Sequence, residues 1–238
     1  MQPRFECEPR GSLLIKSRYN SHIFFLCRSD TLMKPIPIKR ALISVSDKTG
    51  LIELASTLID HSVQIISTGG TSKALAAANI SHQQIEDVTG MQEILEGRVK
   101  TLHPKIHGGI LGKREEHAAE AKDLGIEWID LVVVNFYPFA MATQNNSLAL
   151  EDAIEYIDVG GPTMVRAAAK NFKWVSVVTD PQDYALIIAA IKNDQDVDYL
   201  LRKKLAQKAF ALTAQYDAMI HEYFAQHNPT HALSLIHI

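Results

Sequence analysis

The sequence has few cysteines, no apolar segment long enough to cross a membrane and no strong excess of either charge. Its two cysteines, Cys7 and Cys27, lie near the amino terminus, so disulfide bonds cannot hold the rest of the chain together. This distribution is typical of a protein from the reducing cytoplasm. No apolar run approaches the roughly 20 residues of a membrane-spanning helix, so we expect no membrane partner.

The charge and the size of the chain limit the classes of protein to which it can belong. A net charge of -3 and a pI near 6.4 argue against a nucleic-acid partner, because domains that bind nucleic acids carry a basic excess. With 238 residues, 47% of them hydrophobic, the chain can bury a substantial core. We therefore expect one large domain or two small ones.

The two ends of the chain differ from the rest. Residues 1–32 are rich in Arg and Ser and lack hydrophobic periodicity, and residues 231–238 form an apolar tail after a loop-like segment. We interpret 1–32 as a non-native or disordered extension before a natural start at Met33, and 231–238 as a truncation tail. Between them we expect a domain at 33–193 and a helical linker at 194–230.

Short β-branched segments alternate with helical patterns from Lys39 onwards. The predicted strands are 40–46, 63–68, 84–88, 130–139 and 175–180. The predicted helices are 51–59, 72–78, 115–124, 148–156, 163–170, 181–191 and 197–224, the last with one break. This order predicts an α/β domain with a parallel sheet and helices on both faces. Ligands of such sheets bind at the carboxyl ends of the strands.

Two loops that follow predicted strands have the composition of a phosphate site. Ser44–Gly50 combines hydroxyls, Lys48 and a glycine, and Ser67–Thr71 contains two glycines between hydroxyls; a helix follows each loop. Glycine lets the backbone approach a ligand, and free N–H groups at a helix start attract anions. The alternative is an ordinary strand-to-helix turn. Neither loop is a Walker motif.

The segment Gly97–Gly109 contains five groups that carry or can carry positive charge and no acid. They are Arg98, Lys100, His103, Lys105 and His107. The segment is therefore suited to an anionic ligand. The two histidines are four residues apart, as in zinc-binding helices, but no glutamate follows His103, Pro104 interrupts the pattern and cysteines are absent. We predict no metal site.

Two further segments add polar groups at strand ends. Asn135 and Tyr137 follow the fourth strand and can bind a heterocycle or a sugar, or they can simply pack. After Asp158 a Gly-Gly-Pro turn begins a helix, on which Thr163, Arg166 and Lys170 share one face; the alternative is a solvated surface helix with Asp158 as its cap. These groups suit a phosphorylated small molecule and proton transfer.

Six segments in this order closely resemble the amino-terminal half of a family of bifunctional purine-biosynthesis enzymes. These enzymes join an aminoimidazole carboxamide ribonucleotide (AICAR) formyltransferase to an inosine monophosphate (IMP) cyclohydrolase. The segments are 44–50, 67–71, 97–104, 135–139, 157–162 and 166–171, within a resemblance that covers about 38–225. It implies a three-layer, Rossmann-like parallel sheet of the methylglyoxal-synthase type with a carboxyl-terminal helical extension.

The resemblance also implies cyclohydrolase activity and roles for individual residues. In this reaction the carboxamide nitrogen of formyl-AICAR attacks the formyl carbon, and water leaves. The implied phosphate ligands are Ser46, Lys48, Thr68, Gly70 and Thr71. The implied ligands of the ribose or base are Arg98, Thr101 and Asn135, and Gly69 and Gly160 are further implied substrate-binding residues. The implied catalytic group is Lys100, Tyr137, Asp158 and Lys170, with Lys170 as the oxyanion stabiliser.

The chain departs from the family in two respects. Phe172 stands where the family usually has histidine. The formyltransferase half is absent, so the linker would lead towards a missing domain; we expect neither formyltransferase activity nor a cofactor here, since 10-formyltetrahydrofolate serves only that half. The resemblance implies a purine nucleotide substrate, a cytoplasmic location and a homodimer for the full-length protein.

Three other interpretations remain. The same fold serves as a regulatory, phosphate-ligand-binding module in a carbamoyl-phosphate synthetase, but such a module does not need the four catalytic residues. Methylglyoxal synthase requires acidic groups in a pattern that we do not find. An inactive fragment is the third alternative, which the unusual ends of the chain support.

Overall fold

The computed structural model describes residues 36–137, 139, 143, 149–194 and 196–227. The strands are β1 (Ile36–Pro37), β2 (Arg40–Val45), β3 (Gln64–Ser67), β4 (Gln83–Gln84), β5 (Leu131–Asn135), β6 (Ser176–Val178) and β7 (Asp196–Val197). The helices are α1 (Leu51–Asp60), α2 (Gly69–Ala77), α3 (Ile85–Thr89), α4 (Pro104–Leu111), α5 (Ala118–Asp123), α6 (Leu150–Ile154), α7 (Gly160–Lys170), α8 (Tyr184–Asp194) and α9 (Tyr199–Gln226), with a 3₁₀ turn at Pro181–Asp183.

Five strands form a parallel sheet in the order β4-β3-β2-β5-β6. In the centre of the sheet, Ile43 of β2 lies opposite Ser67 of β3 on one side and Val133 of β5 on the other. The strands β3 and β4 therefore lie on one side of β2, and the next strands in the chain, β5 and β6, lie on its other side. A crevice opens at such a reversal, beyond the carboxyl ends of the two central strands.

Helices cover both faces of the sheet, which confirms the predicted three-layer α/β fold. Alternate residues of β2 point to opposite faces: Ile43 packs in a core with α1, α2 and α8, whereas Leu42 packs in a second core with α3, α4, α7 and α9. Strands β2 and β5 are almost wholly buried, which explains their continuous apolar sequence.

The predicted strand at 84–88 is wrong, because β4 ends at Gln84 and Ile85–Thr89 forms the helix α3. Glu86 and Asp87 occupy its first turn, where carboxylates interact favourably with the helix dipole. Gly90 ends the helix with φ of +72°, a conformation that glycine adopts without a steric penalty.

The helix α4 was not predicted, because Pro104 and two glycines concealed it. Pro104 lies in the first turn of this helix, where a residue without an N–H group costs no helical hydrogen bond. The His103 side chain caps the helix by accepting a hydrogen bond from the Lys105 N–H. A Cβ atom at Gly109 would lie 2.5 Å from the Glu127 carbonyl oxygen, so this glycine allows close packing.

The last helix, α9, runs for 28 residues without the predicted break and packs against α7 and β6. Strands β1 and β7 form a separate two-stranded antiparallel sheet that was not predicted. The segments 1–32 and 231–238, which we interpreted as an extension and a tail, lie outside the described residues. Within the described part of the chain, no helix is both long and apolar enough to cross a membrane.

Candidate active site

A cleft of about 600 Å³ opens at the carboxyl edge of the sheet, above β2 and β5. It has two sides that differ in composition. We call residues 44–46 and 68–71, which lie at or after the ends of β2 and β3, together with Asn135 at the end of β5, the loop side. We call the residues at 96–98, 100–101, 155 and 158–161, together with Tyr137, the charged side. Among the sequence-predicted site residues, all except Lys48 and Lys170 line this cleft.

The loop side presents the start of α2 to the cleft. Thr68 precedes the helix in an extended conformation, and Gly69 begins it with φ of +53°. The Thr71 hydroxyl is used internally: it accepts a hydrogen bond from the Val45 N–H at 2.9 Å and donates to the Val45 carbonyl at 3.0 Å. Backbone N–H groups at the start of α2 are therefore the main donors that this side offers an anion.

Lys48 lies beside the loop side, although it does not line the cleft. Its ammonium donates a hydrogen bond to the Ser46 carbonyl at 3.2 Å. A Cβ atom at Gly70 would lie 3.8 Å from the Lys48 Nζ atom, so the lysine sits over the start of α2. Lys48 can therefore add a positive charge to the anion-binding end of the helix.

Asn135 joins the ends of the two central strands. Its side-chain oxygen accepts hydrogen bonds from the Ser46 N–H at 2.6 Å and the Asp47 N–H at 2.9 Å, and its amide donates to the Asp47 carbonyl at 3.0 Å. The resemblance implied a contact with ribose or base, whereas the structure shows Asn135 holding the loop after β2. A side chain that lines the cleft can do both.

Lys100 is held between two carboxylates that no sequence motif indicates. Its ammonium lies 3.0 Å from Glu86 in α3 and 2.8 Å from Glu93. Burial acts to lower the pKa of Lys100, but the hydrogen bonds to Glu93 and Glu86 outweigh it, so the pKa is raised. Lys100 therefore remains a cation at neutral pH and can donate hydrogen bonds or a proton.

Glu86 and Glu93 could have been noticed in the sequence only as acids near a basic segment. The strand predicted at 84–88 placed Glu86 on the wrong kind of element, and nothing in the spacing joins it to Lys100. The loop between α3 and α4 brings the three residues together. The same loop carries Arg98, which forms an exposed ion pair with Glu155, just after α6.

Asp158 lies immediately before α7 and points at its first amide groups. Its carboxylate accepts a hydrogen bond from the Gly161 N–H at 2.9 Å. Burial raises the pKa of Asp158, while hydrogen bonds from the Gly161 and Gly160 amides act in the opposite direction. The cleft therefore contains a carboxylate that can accept a proton and whose pKa lies above its ordinary value.

The glycines at the start of α7 are required by close packing. A Cβ atom at Gly161 would lie 2.3 Å from the Asp158 Oδ2 atom, and one at Gly160 would lie 2.6 Å from the Thr101 Oγ1 atom. Both distances are shorter than any real contact of a Cβ atom. Gly160 therefore lets Thr101 approach α7, and Gly161 leaves room for the Asp158 carboxylate.

Tyr137 stands at the mouth of the cleft and is half exposed. Its ring stacks on Tyr156, with the centroids 5.9 Å apart and the planes at 29°. Tyr156 was not identified as a site residue from the sequence. The stacked pair offers a flat aromatic surface beside the charged side of the cleft.

Lys170 does not join this group. It is the last residue of α7 and is exposed, whereas Gly160 at the other end of the helix lines the cleft. Ten residues at about 1.5 Å each separate the two ends by roughly 15 Å. The next residue, Asn171, donates hydrogen bonds to the carbonyls of Ile110 and Gly112, away from the cleft. Phe172 packs on Tyr199, with centroids 5.4 Å apart.

His103 and His107 have structural environments. His103 caps α4, as described above. His107 is partly buried, and burial lowers its pKa although its hydrogen bond to the Thr101 backbone has the opposite effect. In the part of the chain that the structure describes, no group of three or more His, Cys, Asp or Glu residues could hold a metal ion.

Two family models match the sequence. The MGS-like domain matches residues 50–163, and the AICARFT/IMPCHase bienzyme matches residues 168–237. The first contains the cleft residues except Ser44, Val45, Ser46 and Met164, and the second contains Lys170 and α9.

Curated relatives and a solved structure extend this likeness. The chain is 52% identical over 188 residues to the bifunctional purine biosynthesis protein PurH of Ruminiclostridium cellulolyticum, which is 78% of this chain and 37% of that protein. It is 56% identical over 189 residues to PurH of Neisseria meningitidis, which is 78% of this chain and 36% of that protein. The chain therefore spans little more than a third of these relatives.

The crystal structure of ForH superposes with a TM-score of 0.68 at 34% sequence identity, covering 79% of this chain and 99% of the ForH chain. A relative of this similarity that is covered almost completely establishes both fold and family. The chain belongs to the AICARFT/IMPCHase bienzyme family and carries its MGS-like domain.

Proposed function

We propose that the chain is an IMP cyclohydrolase of purine biosynthesis, which closes the ring of 5-formamidoimidazole-4-carboxamide ribonucleotide to give IMP. In this step a bond forms between the carboxamide nitrogen and the formyl carbon, and the formyl oxygen leaves as water. The observation that supports it best is the cleft above β2 and β5, which brings Lys100, Tyr137 and Asp158 together beside an anion-binding helix start.

The 5′-phosphate fits the loop side. The amides at the start of α2 and the ammonium of Lys48 supply positive potential there, and Ser46 and Thr68 add hydroxyl groups. Asn135 keeps the loop after β2 in place for this contact. The heterocycle then extends towards the charged side, where Arg98 and Thr101 lie.

The charged side fits the chemical step. Nucleophile and electrophile belong to one molecule, so holding the reactive conformer contributes much of the rate. Asp158 accepts hydrogen bonds and is placed to bind the carboxamide N–H group as the nitrogen becomes a nucleophile. The Lys100 cation stabilises negative charge that develops on the formyl oxygen and favours its departure as water. Tyr137 supplies a hydroxyl for proton transfer.

The role that the resemblance assigns to Lys170 remains a separate proposal. As an oxyanion stabiliser, Lys170 must reach a cleft from which the described structure separates it by the length of α7. Alanine at Lys170 should then lower kcat far more than it raises KM. The opposite pattern would make it a binding residue, and unchanged constants would place it outside the site.

The relatives are bifunctional proteins of which this chain spans little more than a third. From the resemblance we propose that the cyclohydrolase step needs no cofactor and that 10-formyltetrahydrofolate serves only the formyltransferase activity of the full-length protein. A cytoplasmic location and a homodimeric full-length protein are part of the same proposal. Their support is the family membership.

The test is to mix the purified chain with the formylated ribonucleotide and to follow IMP formation by ultraviolet absorbance. We expect turnover by the wild-type chain and a roughly 100-fold lower kcat in Lys100→Met. A matched control is Lys105→Met, because Lys105 lies in the same basic segment but does not line the cleft. Absence of turnover together with tight binding of IMP would instead support a regulatory binding module.

A further inference from the structure

The carboxyl half of α9 packs against two of the chain segments that carry the charged side of the cleft, those around Tyr137 and Asp158. Tyr216 and Tyr223 of this helix are more than nine-tenths buried and form an apolar cluster with Phe139 and Ala153. Phe136 and Ile157, the neighbours of Tyr137 and Asp158 in sequence, pack against the same cluster. The helix is therefore in contact with the supports of two proposed catalytic residues.

Tyr216 makes the most direct connection. Its hydroxyl oxygen accepts a hydrogen bond from the backbone N–H of Asp158 at 2.8 Å, although the two residues are 58 positions apart. Its ring packs on Phe136 with the centroids 5.0 Å apart. Burial raises the pKa of the Tyr216 phenol, so the hydroxyl is neutral at physiological pH.

The hydrogen bond from the Asp158 N–H to Tyr216 restrains the main chain at the residue whose carboxylate lies at the cleft. Asp158 precedes α7, so its N–H group has no partner within that helix, and the Tyr216 oxygen satisfies it. The side chain of the same residue accepts from the Gly161 N–H, in a space that a Cβ atom at Gly161 would occupy. With so little room, a small movement of the main chain changes where the carboxylate points.

The contact also joins the two matched portions of the chain. Asp158 lies in the MGS-like match at 50–163, whereas Tyr216 lies in the bienzyme match at 168–237. The helix that we expected to be a linker thus supplies a group that supports the cleft. An MGS-like domain alone would leave the Asp158 N–H without this partner.

We propose that Tyr216 is a positioning residue for ring closure, which holds the main chain of Asp158 and thereby keeps its carboxylate in the reactive orientation. This inference rests on the proposed cyclohydrolase function. Tyr216 does not touch the substrate and acts only through Asp158. Its loss should therefore affect the chemical step and leave nucleotide binding on the loop side nearly unchanged.

The test compares Tyr216→Phe with Tyr223→Phe. The first change removes the hydroxyl that binds Asp158 and keeps the buried ring; the second makes the same chemical change in the same helix and cluster. We expect Tyr216→Phe to lower kcat by about 10- to 100-fold, since misplacement of a reacting group by ~1 Å costs up to ~100-fold. KM should change by less than about threefold, because binding energy common to ground and transition states is retained. Tyr223→Phe should leave both constants within about twofold of wild type.

A merely structural role would change the melting temperature and the amount of active protein without separating kcat from KM. Wild-type kcat in Tyr216→Phe, or parallel losses in both variants, would overturn the proposal. A third variant, Tyr216→Leu, should lose as much kcat as Tyr216→Phe or more, because it removes the hydroxyl and the ring together.

Hydrogen exchange separates this inference from the proposed function. Amide exchange over residues 157–161, measured by mass spectrometry, should accelerate in Tyr216→Phe and stay at the wild-type rate in Tyr223→Phe. If the wild-type chain does not turn over the substrate, the cyclohydrolase function fails, and this measurement still decides whether Tyr216 holds Asp158. Equal protection in all three proteins would overturn the positioning role.

Discussion

Different interactions hold the residues of the loop side and of the charged side of the cleft in place. On the loop side, neutral side chains such as Thr71 and Asn135 hydrogen-bond to backbone groups, so the loops themselves are fixed. On the charged side, cations are held by carboxylates: Lys100 by Glu86 and Glu93, and Arg98 by Glu155. The first arrangement fixes the backbone beside the start of α2, and the second fixes the positions of charged side chains.

The largest effect on this comparison is expected for Asp158→Asn. Asparagine can still accept the Gly161 N–H, but it cannot act as a carboxylate, so kcat should fall by about 10²- to 10⁴-fold while KM changes little. The measurement is steady-state kinetics at neutral pH. A kcat near that of wild type would remove Asp158 from the chemistry and leave it as a cap of α7.

A second prediction for Asp158→Asn concerns how its melting temperature depends on pH. Burial raises the pKa of Asp158, so the folded protein binds a proton there at pH values at which the unfolded chain, with a pKa of about 3.9, has released it. Ionisation therefore destabilises the folded state increasingly as pH rises through that window. The melting temperature of Asp158→Asn should equal or exceed that of wild type at pH 7 and lose this advantage near pH 4. If Asp158→Asn melts at a lower temperature than wild type at pH 7 but not near pH 4, this expectation is contradicted.

Lys100→Met is expected to have the next largest effect. It removes the cation and leaves two carboxylates near the reacting groups, so kcat should fall by roughly 100-fold. The pKa of Glu93, which the hydrogen bond to Lys100 lowers, should return upwards, and NMR titration of the Glu93 carboxyl can follow it. If Lys100→Met raises KM and leaves kcat unchanged, the lysine binds the substrate and does not assist the reaction.

Asn135→Ala probes the loop side and should have a smaller effect of a different kind. The Ser46 and Asp47 amides lose their partner, the loop loosens, and KM should rise about tenfold with kcat within about threefold. The loss of these hydrogen bonds should also reduce the free energy of unfolding by about 1–3 kcal/mol, which denaturant titration measures. A fall in kcat at unchanged KM would mean that the two sides of the cleft are not functionally distinct.

The smallest effect is expected for Arg98→Gln. Both side chains of the Arg98–Glu155 pair are more than half exposed, and such pairs contribute about 0–1 kcal/mol. KM should rise by about threefold or less, and the difference from wild type should shrink at high salt. Glu155→Gln is the matched control and should give a similar change. A much larger loss in Arg98→Gln alone would show that Arg98 contacts the substrate directly.

Much of the fold was predictable because its signals are local. The β-branched run of β5 and the spacing of Leu51, Leu54 and Leu58 in α1 each identify an element without reference to the rest of the chain. The errors arose where tertiary packing overrides local preference. Ile85 belongs to a short helix because it is buried beside β3, and α4 tolerates its glycines because they allow close packing.

The residue types of the site could be predicted from the sequence, but only some of the contacts that these residues make could be predicted. Residues at strand ends must converge in a parallel sheet, which is why Ser46, Thr68 and Asn135 meet as expected. Glu86, Glu93 and Tyr156 were not identified, because no spacing connects them to the residues that they contact. Lys170 is separated from the cleft because α7 continues as an uninterrupted helix from Gly160 to Lys170, which sequence similarity does not display.

The sequence by itself determined the α/β class, the loops with the composition of a phosphate site and the family to which the motifs belong, because each depends on the order of residues along the chain. Only the tertiary structure decided which charges meet, how Asn135 and Thr71 are used and that Tyr216 supports Asp158. Those contacts join residues up to 89 positions apart, and their existence depends on how helices and loops pack around the sheet. Packing depends on the whole chain at once, and no local pattern encodes it.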